Sequence, residues 1–253
     1  MKLRLFAPLY LVTFIYPLHN PFLKKNCNFV NLFCFASKKH FKISGMYDDS
    51  NIAINPLAVL KPVKPARQYT LGEYLEREER SKYLREYYNG SITKLPLAKG
   101  PHNIIVANMT AELSLSLRAT GKDYTVLGSQ QLVYLPELNF ALYPDVLVVA
   151  EGLRYWDNHE VLLINPLLIV EVLSKSTRKY DRAEKYSYYK TLPSLKEYVL
   201  VDTDKCHVET RFREEPGLWR DTVFNDLSDT LVLKSVGCSI DMGLVYRKIE
   251  FKV

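Results

Sequence analysis

Residues 141–190 read ALYPDVLVVAEGLRYWDNHEVLLINPLLIVEVLSKSTRKYDRAEKYSYYK. Two apolar, β-branched runs of strand length lie within them, Val146 to Ala150 and Leu167 to Leu173. Each comes with one carboxylate, Asp145 and Glu171, where a neutral side chain is expected. A run without period-two alternation reads as a strand buried on both faces, which sends Glu171 into an interior or a cleft. An isolated charge there is costly, so the acid must be ion-paired, protonated or bound to a metal. Asp145 follows Pro144 at the mouth of its strand, near a sheet end where open sites form. Two carboxylates from neighbouring strands, with carbonyl oxygens beside them, form a hard-oxygen set suited to Mg²⁺ or Mn²⁺. The competing reading makes each acid a turn cap or the partner of one of the basic residues after Glu171.

The residues that follow, LSKSTRKYDRAEKYSYYKTLPS, supply capping hydroxyls at Ser174, Ser176 and Thr177 and predict a helix from about Arg178 to Lys190, ended before Pro193. On it Asp181 and Lys185 are four apart and share a face with Tyr188 and Tyr189. An acid on a strand, a turn, and a lysine aimed back from the next helix bring an ammonium beside a metal-bound phosphate. Phosphoryl chemistry uses these parts: the metal activates water and holds phosphate oxygens, and the lysine offsets charge in the transition state. The tyrosines at 180, 186, 188 and 189, interleaved with Lys179, Arg182, Lys185 and Lys190, can stack on bases, although aromatics at helical spacing are more often half-buried packing.

Four pieces in order carry a family resemblance: YPDV at 143–146, NPLLIVEVLS at 165–174, YDRAEK at 180–185 and PSLKEYVLVD at 193–202. Together they resemble the Uma-two family, a group within the restriction-endonuclease-like PD-(D/E)XK superfamily, over roughly residues 69–253. The resemblance implies a mixed β-sheet flanked by helices and an endonuclease acting on DNA. It implies that Asp145, Glu171 and the carbonyl of Val172 hold Mg²⁺ or Mn²⁺, with Lys185 polarising the attacking water or the phosphate. The superfamily pattern has a lysine two residues after the second acid, where this chain has Leu173. In the Uma-two type the following helix supplies the lysine, which here is Lys185. Glu86, just before a turn, matches a family acid that joins the active site, where it would ligate a second metal or act through water, and its alternative is an ordinary exposed strand acid. His102 matches a family histidine near the site, and at a helix start it could meet a phosphate.

Outward from this stretch, charge is unevenly spread. The formal net charge is +6, but residues 1–45 hold seven Lys or Arg and no acid, which leaves −1 for residues 46–253. Any DNA-binding face on the domain is therefore a local patch. The N-terminal 45 residues read as a doubtful extension: a targeting segment, or upstream sequence joined by a wrong start with Met46 as initiator. Its apolar stretches are too short to span a bilayer, and prolines at 8, 17 and 21 break the first. Residues 46–68 read as an extended lead-in. No membrane contact is expected for residues 46–253, and the expected location is the cytoplasm. Cys206 and Cys238 have no metal-ligand spacing and imply free thiols in a reducing compartment.

Residues 69–253 are expected to form a single α/β domain, with a mixed sheet of about five or more strands, helices on both sides and a C-terminal β-meander. Thr70 and Glu73 predict a capping box for a helix to about Lys82. Asn89-Gly90 predicts a hairpin turn. Ile104 to Ala119 predicts a helix with Ile105, Met109, Leu113 and Leu117 on its core stripe. Tyr124 to Leu135 reads as one strand, paired so that Asp145 falls beside Gln130 or Gln131. Strands follow at Glu197 to Asp202, Cys206 to Arg213, Leu218 to Phe224 and Thr230 to Leu233. The function expected is metal-dependent hydrolysis of DNA, by a chain that could act as a homodimer. The rival is a nuclease-derived DNA-binding or interaction module without catalysis.

Overall fold

The computed structural model describes residues 35–37, 40–42 and 67–251, divided between two units, Met1–Pro62 and Val63–Val253. In the first unit, strand β1 (Phe35–Ser37) pairs antiparallel with β2 (His40–Lys42). The expectations for residues 1–45 and the lead-in otherwise lie outside the described residues. Among the described residues no helix is long and apolar enough to cross a membrane.

In the second unit α1 (Leu71–Glu79) opens with the predicted capping box. Thr70 Oγ1 accepts from the Glu73 N–H at 3.2 Å, and Glu73 Oε2 accepts from the Thr70 N–H at 2.9 Å. Strands β3 (Arg85–Tyr88) and β4 (Ser91–Lys94) meet at Asn89 and Gly90, whose φ values of 41° and 100° fit the tight hairpin turn that the Asn-Gly pair favours. Helix α2 (Gly100–Ala119) buries the four residues of its predicted stripe.

The strand expected over 124–135 is two strands in two sheets. Strand β5 (Tyr124–Gly128) pairs with β8 (Val146–Ala150), whereas β6 (Leu132–Leu135) pairs with β7 (Phe140–Leu142) and β9 (Leu162–Leu163). The β5–β8 register stops at Gly128 opposite Val146, and Gln131 donates instead to the carbonyls of Leu132 and Val161. The five-stranded sheet runs β4-β3-β7-β6-β9. The six-stranded sheet runs β13-β12-β11-β10-β8-β5, from β10 (Leu168–Leu173), β11 (Glu197–Asp202), β12 (Val208–Glu215) and β13 (Leu218–Phe224). Its one parallel pair is β10 with β11, so the sheet is mixed. The chain crosses from one sheet to the other between β7 and β8, through Tyr143-Pro144-Asp145.

Between β10 and β11 lie α3 (Arg178–Tyr180), a π-helical turn at Asp181–Lys185 and α4 (Tyr186–Tyr189). The regular helix expected over 178–190 is therefore interrupted. Strands β11, β12 and β13 form the expected meander, but Thr230 to Leu233 does not finish it. That segment, β14 (Thr230–Leu233), makes a separate ribbon with β15 (Cys238–Asp241), followed by α5 (Met242–Val245). Its buried Leu231 and Leu233 belong to the core that α2 covers.

Alternation is present in the central strands, although both phases are apolar. Val146, Val148, Leu168, Val170, Val172, Val199 and Val201 join the α2 stripe in one cluster. The intervening Leu147, Val149, Ile169, Leu173, Tyr198 and Leu200 join Tyr189, Leu192 and Leu195 in another. Helices thus cover both faces, and each fully buried aliphatic side chain contributes about 1.5–3 kcal/mol. Glu171, in phase with Ile169 and Leu173, belongs to the α3–α4 face.

Candidate active site

The β8–β10 register aligns Leu168 with Val148, Ile169 with Leu147 and Val170 with Val146. Continued by two residues, it sets Glu171 opposite Asp145 and Val172 opposite Pro144. Proline has no N–H, so the ladder cannot close there. The Val172 N–H donates instead to Asp145 Oδ2 at 2.8 Å. The Val172 carbonyl points the same way and is left without a ladder donor. The central strand pair therefore opens where its two acids stand.

The π turn directs Asp181 and Lys185 inward, each 5% exposed. Lys185 Nζ lies 2.9 Å from Glu171 Oε1 and 3.4 Å from Glu86 Oε1, and donates to the Tyr143 carbonyl at 3.0 Å. Glu86 is 2% exposed, so it is no ordinary exposed strand acid. It accepts the Tyr143 N–H at 3.1 Å and the Tyr88 hydroxyl at 2.5 Å. His102, near the start of α2, places Nε2 3.2 Å from Asp145 Oδ2, while its buried Nδ1 has no hydrogen-bond partner. The five side chains expected at the site form two contact groups, Lys185 with Glu171 and Glu86, and His102 with Asp145, which meet at the backbone where Val172, next to Glu171, donates to Asp145.

Four carboxylates here, those of Glu86, Asp145, Glu171 and Asp181, face the cations of Lys185 and His102. Burial above all, reinforced by the charges of Asp145 and Asp181, outweighs Lys185 and pushes the Glu171 carboxyl well above the usual carboxylate range. Burial raises Asp181 as well. For Lys185 burial opposes the charge, yet Glu171 and Glu86 hold its ammonium well above the ordinary lysine value. Burial also opposes a charged His102, and Asp145 overcomes it, raising the imidazole. Both members of the Lys185–Glu171 pair shift upward, Glu171 through burial and Lys185 through the acids around it.

Among the described residues no three His, Cys, Asp or Glu side chains already converge as a metal cage. The donor set nonetheless fits a hard cation. Glu171 Oε1 is buried and has no aligned hydrogen-bond donor, its 2.9 Å contact with Lys185 being an ion pair only. Asp145 stands opposite it in the continued register and is held by the N–H of Val172, the next residue on β10. Mg²⁺ is commonly held by one or two carboxylates with waters completing its shell. Leu173 is fully buried against the cover supplied by Tyr189 and Leu192, so a lysine there would enter an apolar cluster. The ammonium comes from the covering segment instead.

The sequence reading placed Asp181 beside Lys185 without giving it a place among the acids, gave no role to Tyr88 or Tyr143, and weighed Tyr180 for base stacking, whereas its hydroxyl meets that of Tyr88. The four-residue spacing to Lys185 was the available signal for Asp181. Of the tyrosines weighed for base stacking, Tyr189 is fully buried, and Tyr186 lies beneath Lys190 and Arg211 at 4.7 and 4.4 Å.

The family model described as "Putative restriction endonuclease", Uma2, matches residues 71–243, which contain every residue of this cluster. The chain belongs to the Uma2 family. Two uncharacterised proteins of Synechocystis sp. are among its relatives. One, sll1609, is 35% identical over 140 residues, covering 55% of this chain and 78% of that protein. The other, slr1290, is 30% identical over 192 residues, covering 75% and 97%. A solved structure described as "a putative nuclease belonging to DUF820 from Anabaena variabilis" matches with a TM-score of 0.57 at 17% identity, over 70% of this chain and 97% of that one. The fold is thus the restriction-endonuclease-like fold expected of a Uma2 member.

Proposed function

We propose that this chain is a metal-dependent endonuclease that hydrolyses phosphodiester bonds of DNA. The observation that carries the reading is the opened end of the β8–β10 pair, where the register brings Asp145 opposite Glu171 and Pro144 has no N–H to offer the Val172 carbonyl. Asp145, Glu171 and that carbonyl would hold Mg²⁺ or Mn²⁺. The cation would supply a Lewis acid for a phosphate oxygen and lower the pKa of a water. Lys185 keeps its proton and offsets charge that grows on the scissile phosphate. His102, held toward its protonated form by Asp145, stands with the first N–H groups of α2 where non-bridging phosphate oxygens can dock.

The test is cleavage of supercoiled and single-stranded DNA by the full chain with Mg²⁺, Mn²⁺ or EDTA, beside Asp145→Ala, Glu171→Ala and Lys185→Ala. Metal-dependent cutting lost in all three variants is the expected result. Cutting that survives Lys185→Ala removes the lysine's role and keeps the enzyme. Leu173 favours a second reading, a DNA-binding module without catalysis. No cutting and no metal binding by calorimetry, with DNA affinity intact in Asp145→Ala, would select it.

A further inference from the structure

Both oxygens of Glu86 are engaged. Oε1 accepts the Tyr143 N–H at 3.1 Å and lies 3.4 Å from Lys185 Nζ, and Oε2 accepts the Tyr88 hydroxyl at 2.5 Å. The Tyr88 hydroxyl is in turn 2.6 Å from that of Tyr180, the last residue of α3 before the π turn. Lys185 donates to the Tyr143 carbonyl at 3.0 Å. The N–H and C=O of Tyr143 are therefore taken by two buried side chains, one from β3 and one from the π turn. Buried backbone groups need partners, and this crossing residue finds these outside either sheet ladder. The Tyr143 hydroxyl reaches Glu78 of α1 at 3.3 Å. Two residues on stands Asp145.

We propose that Glu86 is a positioning residue and not a metal ligand. With Lys185 it clamps the Tyr143 crossing and so fixes where Asp145 stands, while Tyr88 and Tyr180 tie the clamp to the segment that carries Lys185. The Lys185 ammonium lies against both acids, but a cation drawn to Glu86 would also have to displace an aligned N–H and an aligned hydroxyl, whereas Glu171 Oε1 has no aligned donor. The catalytic consequence of the clamp rests on the nuclease reading above, and the clamp itself does not.

Two measurements on the full chain test this. In the first, Mn²⁺ binding by calorimetry and cleavage kinetics are compared for Glu86→Gln, Glu86→Ala, Tyr88→Phe and Asp145→Asn. Glu86→Gln is expected to keep Mn²⁺ affinity within about threefold, with kcat down about tenfold and KM little changed. Glu86→Ala falls further, because glutamine can still accept the Tyr143 N–H, and Tyr88→Phe falls least. A loss of Mn²⁺ affinity in Glu86→Gln as large as that of Asp145→Asn makes Glu86 a ligand and overturns the proposal. The second measurement is a thermal-melting cycle in EDTA with Glu86→Ala, Lys185→Ala and the double variant. A double loss smaller than the sum of the single losses supports the clamp, and additive losses overturn it. This arm decides the clamp even if the wild type binds no metal and cuts nothing, an outcome that would defeat the nuclease reading alone.

Discussion

The parallel pair β10–β11 carries three buried acids, Glu197 at one end and Glu171 and Asp202 towards the other, and Glu197 and Glu171 are treated differently. Glu197 begins β11 opposite Leu168, and Glu171 lies towards the far end of β10 opposite Leu200. Both are buried, at 0% and 3% exposed, and burial pushes both carboxyls up. Glu197 accepts the Lys234 N–H at 3.2 Å, the Ser235 N–H at 2.9 Å and the Ser235 hydroxyl at 2.8 Å. Those three donors are uncharged and tie β11 to the turn after β14. Glu171 has an ammonium against one oxygen and Asp145 across from it. Depth in the sheet is common to both acids, so the donors around each decide between a strut and a chemical group.

Substitution at the two ends gives the sharpest test. Asp145→Ala and Glu171→Ala are expected to lower plasmid cleavage on the order of 10³-fold or more, while Glu197→Gln keeps its rate per folded molecule. Equal losses at both ends would erase the distinction. The second effect is on stability: Glu197→Ala leaves its donors unsatisfied and should cost about 2–4 kcal/mol, roughly 5–10 °C in melting temperature.

A third test uses pH. The Glu171 carboxyl is raised above its ordinary value of 4.5, so its contribution is fully present below that value and is lost as pH rises through the raised one. Melting temperature in EDTA should therefore fall as pH rises from the ordinary carboxylate value through the raised one. Glu171→Gln should flatten that slope and, at the upper end, give a higher melting temperature than wild type. A lower melting temperature for Glu171→Gln at pH 8 would mean that its pairing with Lys185 outweighs its burial. The smallest effect belongs to Thr70→Ala, far from either acid in sequence. Loss of that cap should lower melting by roughly 1–3 °C and leave metal binding and cleavage unchanged.

Much of this was legible in the sequence because its signals are local. The α2 stripe, the Thr70–Glu73 box, the Asn89-Gly90 turn and the limits of β11 and β13 follow from spacing and turn chemistry within a few residues. Asp145 and Glu171 stood out because a charge in an apolar strand is a local contradiction. What stayed hidden depends on partners far along the chain. Nothing between Tyr124 and Leu135 says that β5 and β6 pair in different sheets, since that choice is made by β8 and β7. The π turn contains no glycine or proline to mark it. The alternation that separates the two faces of β10 cannot be seen when both faces are apolar, and Leu231 and Leu233 fit either the main sheet or a ribbon equally well.

The crossing at Tyr143 also governs when such a site can come into being. Tyr88 and Tyr180, the outer links of its network, are 92 positions apart in sequence, and Tyr143 lies 57 positions after Glu86. A chain emerging from the ribosome has β3 and α2 long before the turn with Lys185, and β10 gains its parallel neighbour later still. The carboxylates of the cluster can be gathered only once β10 and the turn with Lys185 have been made. A half-made chain lacks Lys185 and therefore lacks the assembled cluster.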